Sequence, residues 1–268
     1  MSQKRAHKII KLISANKTPP RKATTAELAK TQRAISALNG TAPTEEQLWA
    51  NLRSKDVSRS IQNFQWKGLH AAHKVGTYFA DMPSPWKELA ECPRCNTTES
   101  MEHILFECTD PARETIWALA KETLAQKMGS CPDISIGTVW GCASAVFEGE
   151  EKEEAMANAR AFRIIVSESA FLIWKARCER RIQHEDEPDW EMTVLEATNR
   201  WKAAINKRIA IDRALTNKRR HKRRALETQT VFLTWCDILE HEESLDKDWP
   251  WRPGVLVGIG TGRNRQHI

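Results

Sequence analysis

Apolar residues recur at three- and four-residue intervals through most of this chain, the period of a helix with one buried face. The clearest stretch runs from Glu150 to about Gln183, with Phe162, Ile165, Val166, Ser169, Leu172 and Ile173 on one side. Glu150, Glu151, Glu153 and Glu154 open it, and Lys175, Arg177, Arg180 and Arg181 close it. That order suits the helix dipole. His184 to Pro188 is a polar break, and a second long helix is expected from Asp189 to about residue 216. In it Trp190, Val194, Ala197, Trp201, Ala204, Ile211 and Leu215 recur close to a heptad pattern.

Shorter helices are expected between clear punctuation marks. Residues 1–22 read as a basic helix ending before Pro19-Pro20. Residues 24–39 form another, capped by Thr24 or Thr25 and stopped by a left-handed Gly40. Thr44 to Gln47 is a capping box that starts a helix carrying Leu48, Trp49 and Leu52. Ser58 to about Phe79 is a further helical stretch with Ile61, Phe64, Leu69 and Ala72 inward; Pro83 and Pro85 then break the chain. Asp110-Pro111 starts a helix with Ile116, Trp117, Leu119 and Leu124, ending near Gly129. Residues 130–149 are loop with a short helix around Val139 to Ala145. A last amphipathic helix, about 226–240, carries Val231, Phe232, Trp235 and Ile238. There is almost no alternating pattern, so the expected fold class is mainly α. The expected organisation is a basic helical segment at 1–43, a Cys-bearing domain at 44–130, a long-helix region at 131–249 and a flexible tail at 250–268.

Composition fills in this outline. The 268 residues are 41% apolar and 28% charged, enough for a packed core and too apolar for wholesale disorder. Eleven Trp against one Tyr suit helix packing. No run approaches the roughly 18–20 apolar residues of a membrane helix, and Met1 to Lys22 lacks an apolar block of the secretory kind. An intracellular protein is expected, in which the seven Cys serve as metal ligands or core residues rather than disulfides. The net charge of +6 is unevenly spread. Residues 1–22 hold seven basic residues and no acid, residues 200–224 eleven basic residues and only Asp212 as acid, while the body between them is acidic. Concentrated basic runs are what phosphate neutralisation requires. They are also what a solvated helix face or a nuclear-import address looks like.

The most specific feature is Cys92-Pro93-Arg94-Cys95, then His103, then Cys108, a C-x2-C-x7-H-x4-C spacing. Four N/S ligands make a closed tetrahedral Zn²⁺ site, structural rather than catalytic. Asn96 suits the left-handed corner of a Cys knuckle. Ser100 can cap a short helix that places His103 facing the knuckle and Cys108 at its end. Ile104, Leu105 and Phe106 would pack the unit onto its neighbours. Cys131, Cys142, Cys178 and Cys236 sit at no ligand spacing and are expected as small core residues. His70 and His73, three apart, lack a third local ligand and are expected to pack rather than bind metal.

Cys92 to Cys108, with Glu99-Ser100-Met101-Glu102-His103-Ile104-Leu105 inside it, resembles the reverse-transcriptase zinc-binding domain near the C-terminus of LINE-type (non-LTR) retrotransposon polyproteins. Leu48-Trp49, Phe64 to His70, Val75 to Tyr78 and Ile116-Trp117 extend the resemblance over about residues 45–120. The Ile173-Trp174-Lys175 and Arg177 to Arg180 stretches resemble the C-terminal region of fungal elements of this kind. In such elements the module follows a reverse transcriptase and often an RNase H domain. Neither is visible here. Tyr78-Phe79-Ala80-Asp81 has one acid where a polymerase box has two, and no strand-borne acid set of the RNase H kind appears. Gly258-Ile259-Gly260-Thr261-Gly262 lacks the lysine and helix of a phosphate loop.

The expected protein is therefore a non-enzymatic, retroelement-derived, nuclear zinc protein. Cys92, Cys95, His103 and Cys108 would hold Zn²⁺. Lys218, Arg219, Arg220, Lys222, Arg223 and Arg224, aided by Lys4, Arg5, Lys8 and Lys11, would contact nucleic acid without sequence preference. The alternatives are a scaffold in which the Trp190–Leu215 helix pairs with a partner helix, and an inactive remnant of a polyprotein.

Overall fold

A computed structural model describes residues 2–15, 20–148, 151–187, 190–246, 248–251 and 258–259. Among them the protein is mainly α-helical, with no strand and two isolated antiparallel bridges. The helices are α1 (Gln3–Ala15), α2 (Lys22–Asn39), α3 (Glu45–Asn51), α4 (Arg59–Leu69), α5 (Thr77–Ala80), α6 (Pro111–Met128), α7 (Ile136–Gly141), α8 (Lys152–Ile182), α9 (Val194–Leu215), α10 (Lys218–His221) and α11 (Thr228–Trp235). A single-turn π-helix at His103–Glu107 precedes α6.

Helix α8 is the axis of the molecule. At 31 residues it is about 46 Å long, and α4, α6, α7, α9 and α11 all pack against it. The expected stripe from Phe162 to Ile173 is buried. So are Arg160, Ala161, Ile164, Ser167 and Ala170 on the other sides. The middle of α8 is thus enclosed all round, which a one-face reading of the period could not show, because small and polar residues fill the remaining faces.

One contiguous core runs from Leu28 on α2 through Trp117 on α6 and Trp201 on α9 to Ile259. Residues on both sides of position 130 share it. Trp201 and Trp235 are fully buried. The Trp201 indole donates to Ser169 Oγ at 2.8 Å, so its one polar atom is satisfied inside the core. α2 and α7 approach closely because Gly137 and Gly141 face α2; a Cβ on Gly137 would stand 2.9 Å from the Lys30 carbonyl.

The chain's punctuation explains most boundaries. Thr44 and Gln47 form the capping box, Asp110 accepts from the Ala112 N–H at 2.8 Å, and Gly40 and Gly129 are left-handed. Other boundaries differ from expectation. α2 begins at Lys22 after Arg21, with Thr24 and Thr25 inside its first turn; Thr24 Oγ1 instead lies 3.2 Å from His70 Nδ1. The stretch after Ser58 is not one helix. It stops at Leu69, turns through a left-handed Ala71, and resumes at Thr77. α7 starts at Ile136 because Ser135 caps it.

The seam of α9 also differs. It runs Ala197, Trp201, Ile205, Ile209 and Asp212, while Ala204 is only half-buried and Val194 is 56% exposed. That seam meets α6, α8 and α11 of the same chain. Of the residues expected to face a partner helix, Ala197 and Trp201 are buried within the chain and Trp190, Ala204, Ile211 and Leu215 are half-buried.

A buried ionic network ties these helices together. Arg160 on α8 donates to both carboxylate oxygens of Asp212 on α9 at 2.7 Å each. It also donates to Thr234 Oγ1 at 3.2 Å and to Asp56 at 2.8 Å. The Trp235 indole donates to Asp212 at 2.8 Å. Asp56 takes a further bond from Arg163. Burial opposes the Asp56 charge, but Arg160 and Arg163 outweigh it and hold the carboxyl below its ordinary value.

Of the expected tail, residues 252–257 and 260–268 lie outside the described residues, which covers Val255 to Val257 of its apolar run and Gly260 to Gly262 of its glycine segment. Ile259 is buried, bridging Leu239, and the Glu240 N–H donates to the Gly258 carbonyl at 2.7 Å.

Candidate metal centre

The four residues of the Cys–His spacing converge. One ligand atom from each of Cys92, Cys95, His103 and Cys108 lies within 4.8 Å of all the others. This is the one such cluster among the described residues.

Local chemistry builds it in two halves. The first is a knuckle. The Cys92 N–H donates to the Thr97 carbonyl at 2.8 Å and the Asn96 N–H to the Cys92 carbonyl at 2.9 Å. Asn96 takes the left-handed conformation (φ 51°) that turns the chain back, and Glu91 bridges Thr98. The second half starts at Ser100, whose Oγ accepts from the His103 N–H at 2.9 Å. An ordinary α-helix turns 100° per residue, so five steps would carry Cys108 about 140° around the axis from His103. The wider π-turn reduces that offset. The Cys108 N–H bonds the His103 carbonyl at 2.7 Å, five residues back, and both side chains return to one side.

The distances fit a tetrahedral ion. Two metal–sulfur bonds of about 2.3 Å at a tetrahedral angle hold sulfurs about 3.8 Å apart. Cys92 Sγ and Cys95 Sγ each stand 3.8 Å from Cys108 Sγ. That is far too long for a disulfide, and all the cysteines are free. His103 is buried and its Nε2 has no hydrogen-bond partner, while Nδ1 faces the Glu107 carboxylate at 3.9 Å. A buried, unpartnered ring nitrogen beside three sulfurs is the donor a metal ion would satisfy. The Cys108 thiol, ahead of the opposing burial, drives the Cys92 pKa down, with His103 and the backbone N–H groups of Arg94 and Cys95 adding to the fall. Cys108 is pushed up in turn. Two sulfurs sharing a proton this closely favour exchanging it for a cation.

Contacts invisible in the ligand spacing fix the unit to the helices. Buried Glu99 pairs with Arg177 of α8, and Arg180 of α8 pairs with Asp110 at 2.7 Å. The Trp117 indole donates to the Leu105 carbonyl at 2.6 Å. Gly76 (φ +54°) lies so close that a Cβ there would meet the Glu99 carbonyl oxygen at 1.8 Å. These pairings gave no signal because each partner is distant in the sequence.

The other sulfur and imidazole groups stay apart from the cluster. Cys142 is buried as expected, with burial pushing its thiol up to about 11. Cys131, Cys178 and Cys236 are only half-buried. His73 Nε2 lies 2.9 Å from the Phe64 carbonyl, and the ring packs on Phe64 and Trp174. His70 packs on Trp49.

The basic run is solvent-facing. Lys218 to His221 form α10, capped by Asn217, and Lys222 to Arg224 continue as a 3-10 turn. Lys218, Arg219, Arg220, Lys222, Arg223 and Arg224 are all exposed. Lys218 pairs with Glu227 at 2.9 Å, and the other five have no carboxylate partner among the described residues. Arg219 and Arg220 line an open cleft of about 860 Å³ with Phe232 and Trp251. Lys4 and Arg5 are exposed on α1, and the side chains of Lys8 and Lys11 lie outside the described set. Set beside family models, curated proteins and solved structures, the chain matches none.

Proposed function

We propose that this chain is a non-enzymatic protein with a structural Zn²⁺ site that contacts nucleic acid through phosphate-directed charge. The observation that carries the reading is the run from Lys218 to Arg224, where five exposed cations stand without an acidic partner among the described residues. Proteins normally pair or disperse such charge; concentrated and unpaired, it suits a polyanion. Zn²⁺ is the ion that best suits three thiolates and one imidazole in a closed site, where it acts on folding rather than on substrate. The resemblance of Cys92–Cys108 to the zinc-binding module of retrotransposon polyproteins supports the same reading and a retroelement origin. Nuclear residence follows from the partner proposed.

The test is a salt series. Each lost phosphate contact lowers the slope of log affinity against log salt by roughly 0.7–0.9. Changing Arg219, Arg220, Arg223 and Arg224 to Gln should flatten that slope by about 3 at most, with metal content unchanged. An unchanged slope overturns the reading. Loss of nuclear accumulation alone would favour an import address.

A further inference from the structure

The rings of Trp49, Trp66 and His70 form a cluster that neither the metal centre nor the basic run uses. Trp49 stands on α3, Trp66 on α4, and His70 follows the last residue of α4. The imidazole stacks on Trp49 at 4.9 Å between centroids and 25° between planes, and lies 4.4 Å from the Trp66 ring. It is fixed from α2: Thr24 Oγ1 is 3.2 Å from Nδ1, and Arg21 donates to the His70 carbonyl at 2.8 Å. The rings line an open pocket of about 700 Å³.

Two features narrow what the pocket can take. Ile61, Phe64, Gln65, Gly68 and Leu69 fill the buried face of α4, yet Trp66 is 47% exposed and lines the pocket. Arg53 and Arg59 line the same pocket and have no carboxylate partner among the described residues. An aromatic cage alone would attract a quaternary ammonium. Two unpaired guanidinium groups oppose a cation and favour an anion. A ligand with a flat π-face and a negative charge beside it satisfies both. Gln62, whose amide nitrogen is held by the Ser54 and Val57 carbonyls, and Asn63 complete the wall.

We propose that this pocket binds an unstacked nucleobase, its face against Trp66 and its phosphate on Arg53 and Arg59. The base can come from a single strand or from a free mononucleotide; in a duplex its face is covered by its neighbours. The assignment stands on the rings and arginines and is independent of the basic run.

The full chain is titrated with a short fluorescein-labelled oligothymidylate, with a labelled duplex of the same length, and with AMP as competitor. Stacking predicts that Trp66→Ala weakens the oligothymidylate by about tenfold, that Trp66→Phe restores most of the loss, and that duplex binding is unmoved. Arg53→Gln with Arg59→Gln should weaken the single strand and flatten its salt dependence. AMP binding that depends on Trp66 and is as tight as the oligothymidylate identifies a free nucleotide as the source. Equal affinity of wild type and Trp66→Ala for both oligothymidylate and AMP overturns the proposal. Far-ultraviolet circular dichroism of each variant shows that the helices are retained, and the basic-run variant, tested in parallel, separates failure here from failure there.

Discussion

Two buried polar clusters hold this protein together, and they differ in completeness. Around Asp212, the carboxylate and the Arg160 guanidinium satisfy each other, and Thr234 and Trp235 fill remaining positions. Around Cys108, three sulfurs and an imidazole crowd together with the His103 Nε2 left unpartnered. The first cluster is self-sufficient: opposite charges from α8 and α9, with two polar groups from α11, close it. The second brings four metal-ligand atoms together with no opposite charge among them, a set that could hold a cation. Buried polarity of the first kind is closed on itself; of the second, it is open to an ion.

The largest effect should come from removing the proposed zinc ion. Structural zinc in small modules is worth on the order of 10–16 kcal/mol of apparent binding. Chelation, or Cys95→Ser, should expose the amides of residues 86–110 to hydrogen exchange while α8 and α9 stay protected. Equal protection with and without metal would erase the contrast between the clusters.

Breaking the closed cluster should cost less. Asp212→Ala strips buried Arg160 of its bidentate partner and leaves only Asp56 beside it, an expected loss of up to about 3–5 kcal/mol in urea unfolding. The pair R160M/D212L should recover most of it. If the double variant is as weak as the single one, the network contributes more than charge balance.

A pH titration probes a half-buried polar group, one outside both clusters. Burial, helped by Lys67 and opposed by the Phe64 carbonyl, holds His73 at about 4 against an ordinary 6.5. The unfolded chain therefore takes up a proton that the folded one refuses. Its stability contribution is complete above pH 6.5 and is lost as pH falls toward 4, on the order of 3 kcal/mol in all. His73→Gln should flatten stability over that window. For Asp56, held low by its arginines, the loss begins only below about pH 4, so Asp56→Asn should change the acid limb alone.

The most local test is at Gly76. Gly76→Ala would place a methyl 1.8 Å from the Glu99 carbonyl oxygen, an overlap that forces the backbone to shift, on top of about 1–3 kcal/mol for a conformation that L-residues avoid. Exchange should quicken at residues 90–99 first.

The sequence made the closed ends of helices and the four ligand residues readable, because capping and metal ligation are short-range chemistry. Thr44, Asp110, Gly129, Asn96 and Ser100 each act on residues within five positions. The Arg160–Asp212 and Glu99–Arg177 pairs were invisible because 52 and 78 residues separate the partners. The α9 seam was displaced for a related reason: buried Arg208 and Asp212 belong to it, and a hydrophobic period skips charged residues. The enclosed middle of α8 was hidden by its alanines and serines, which fit a crowded interior as well as a surface.

The π-turn at His103–Glu107 implies a rule for any chain built on this plan. The spacing between imidazole and final thiol is tied to the width of the turn beneath it. A chain one residue shorter there could keep all four ligands by relaxing to an ordinary α-turn, since residues four apart share a helix face. Removing Phe106 should thus preserve the ion's cage, while adding a residue should scatter it. The extra position is a local dislocation in the helical lattice, and the metal site can exist with it or with one residue fewer, but not with one more.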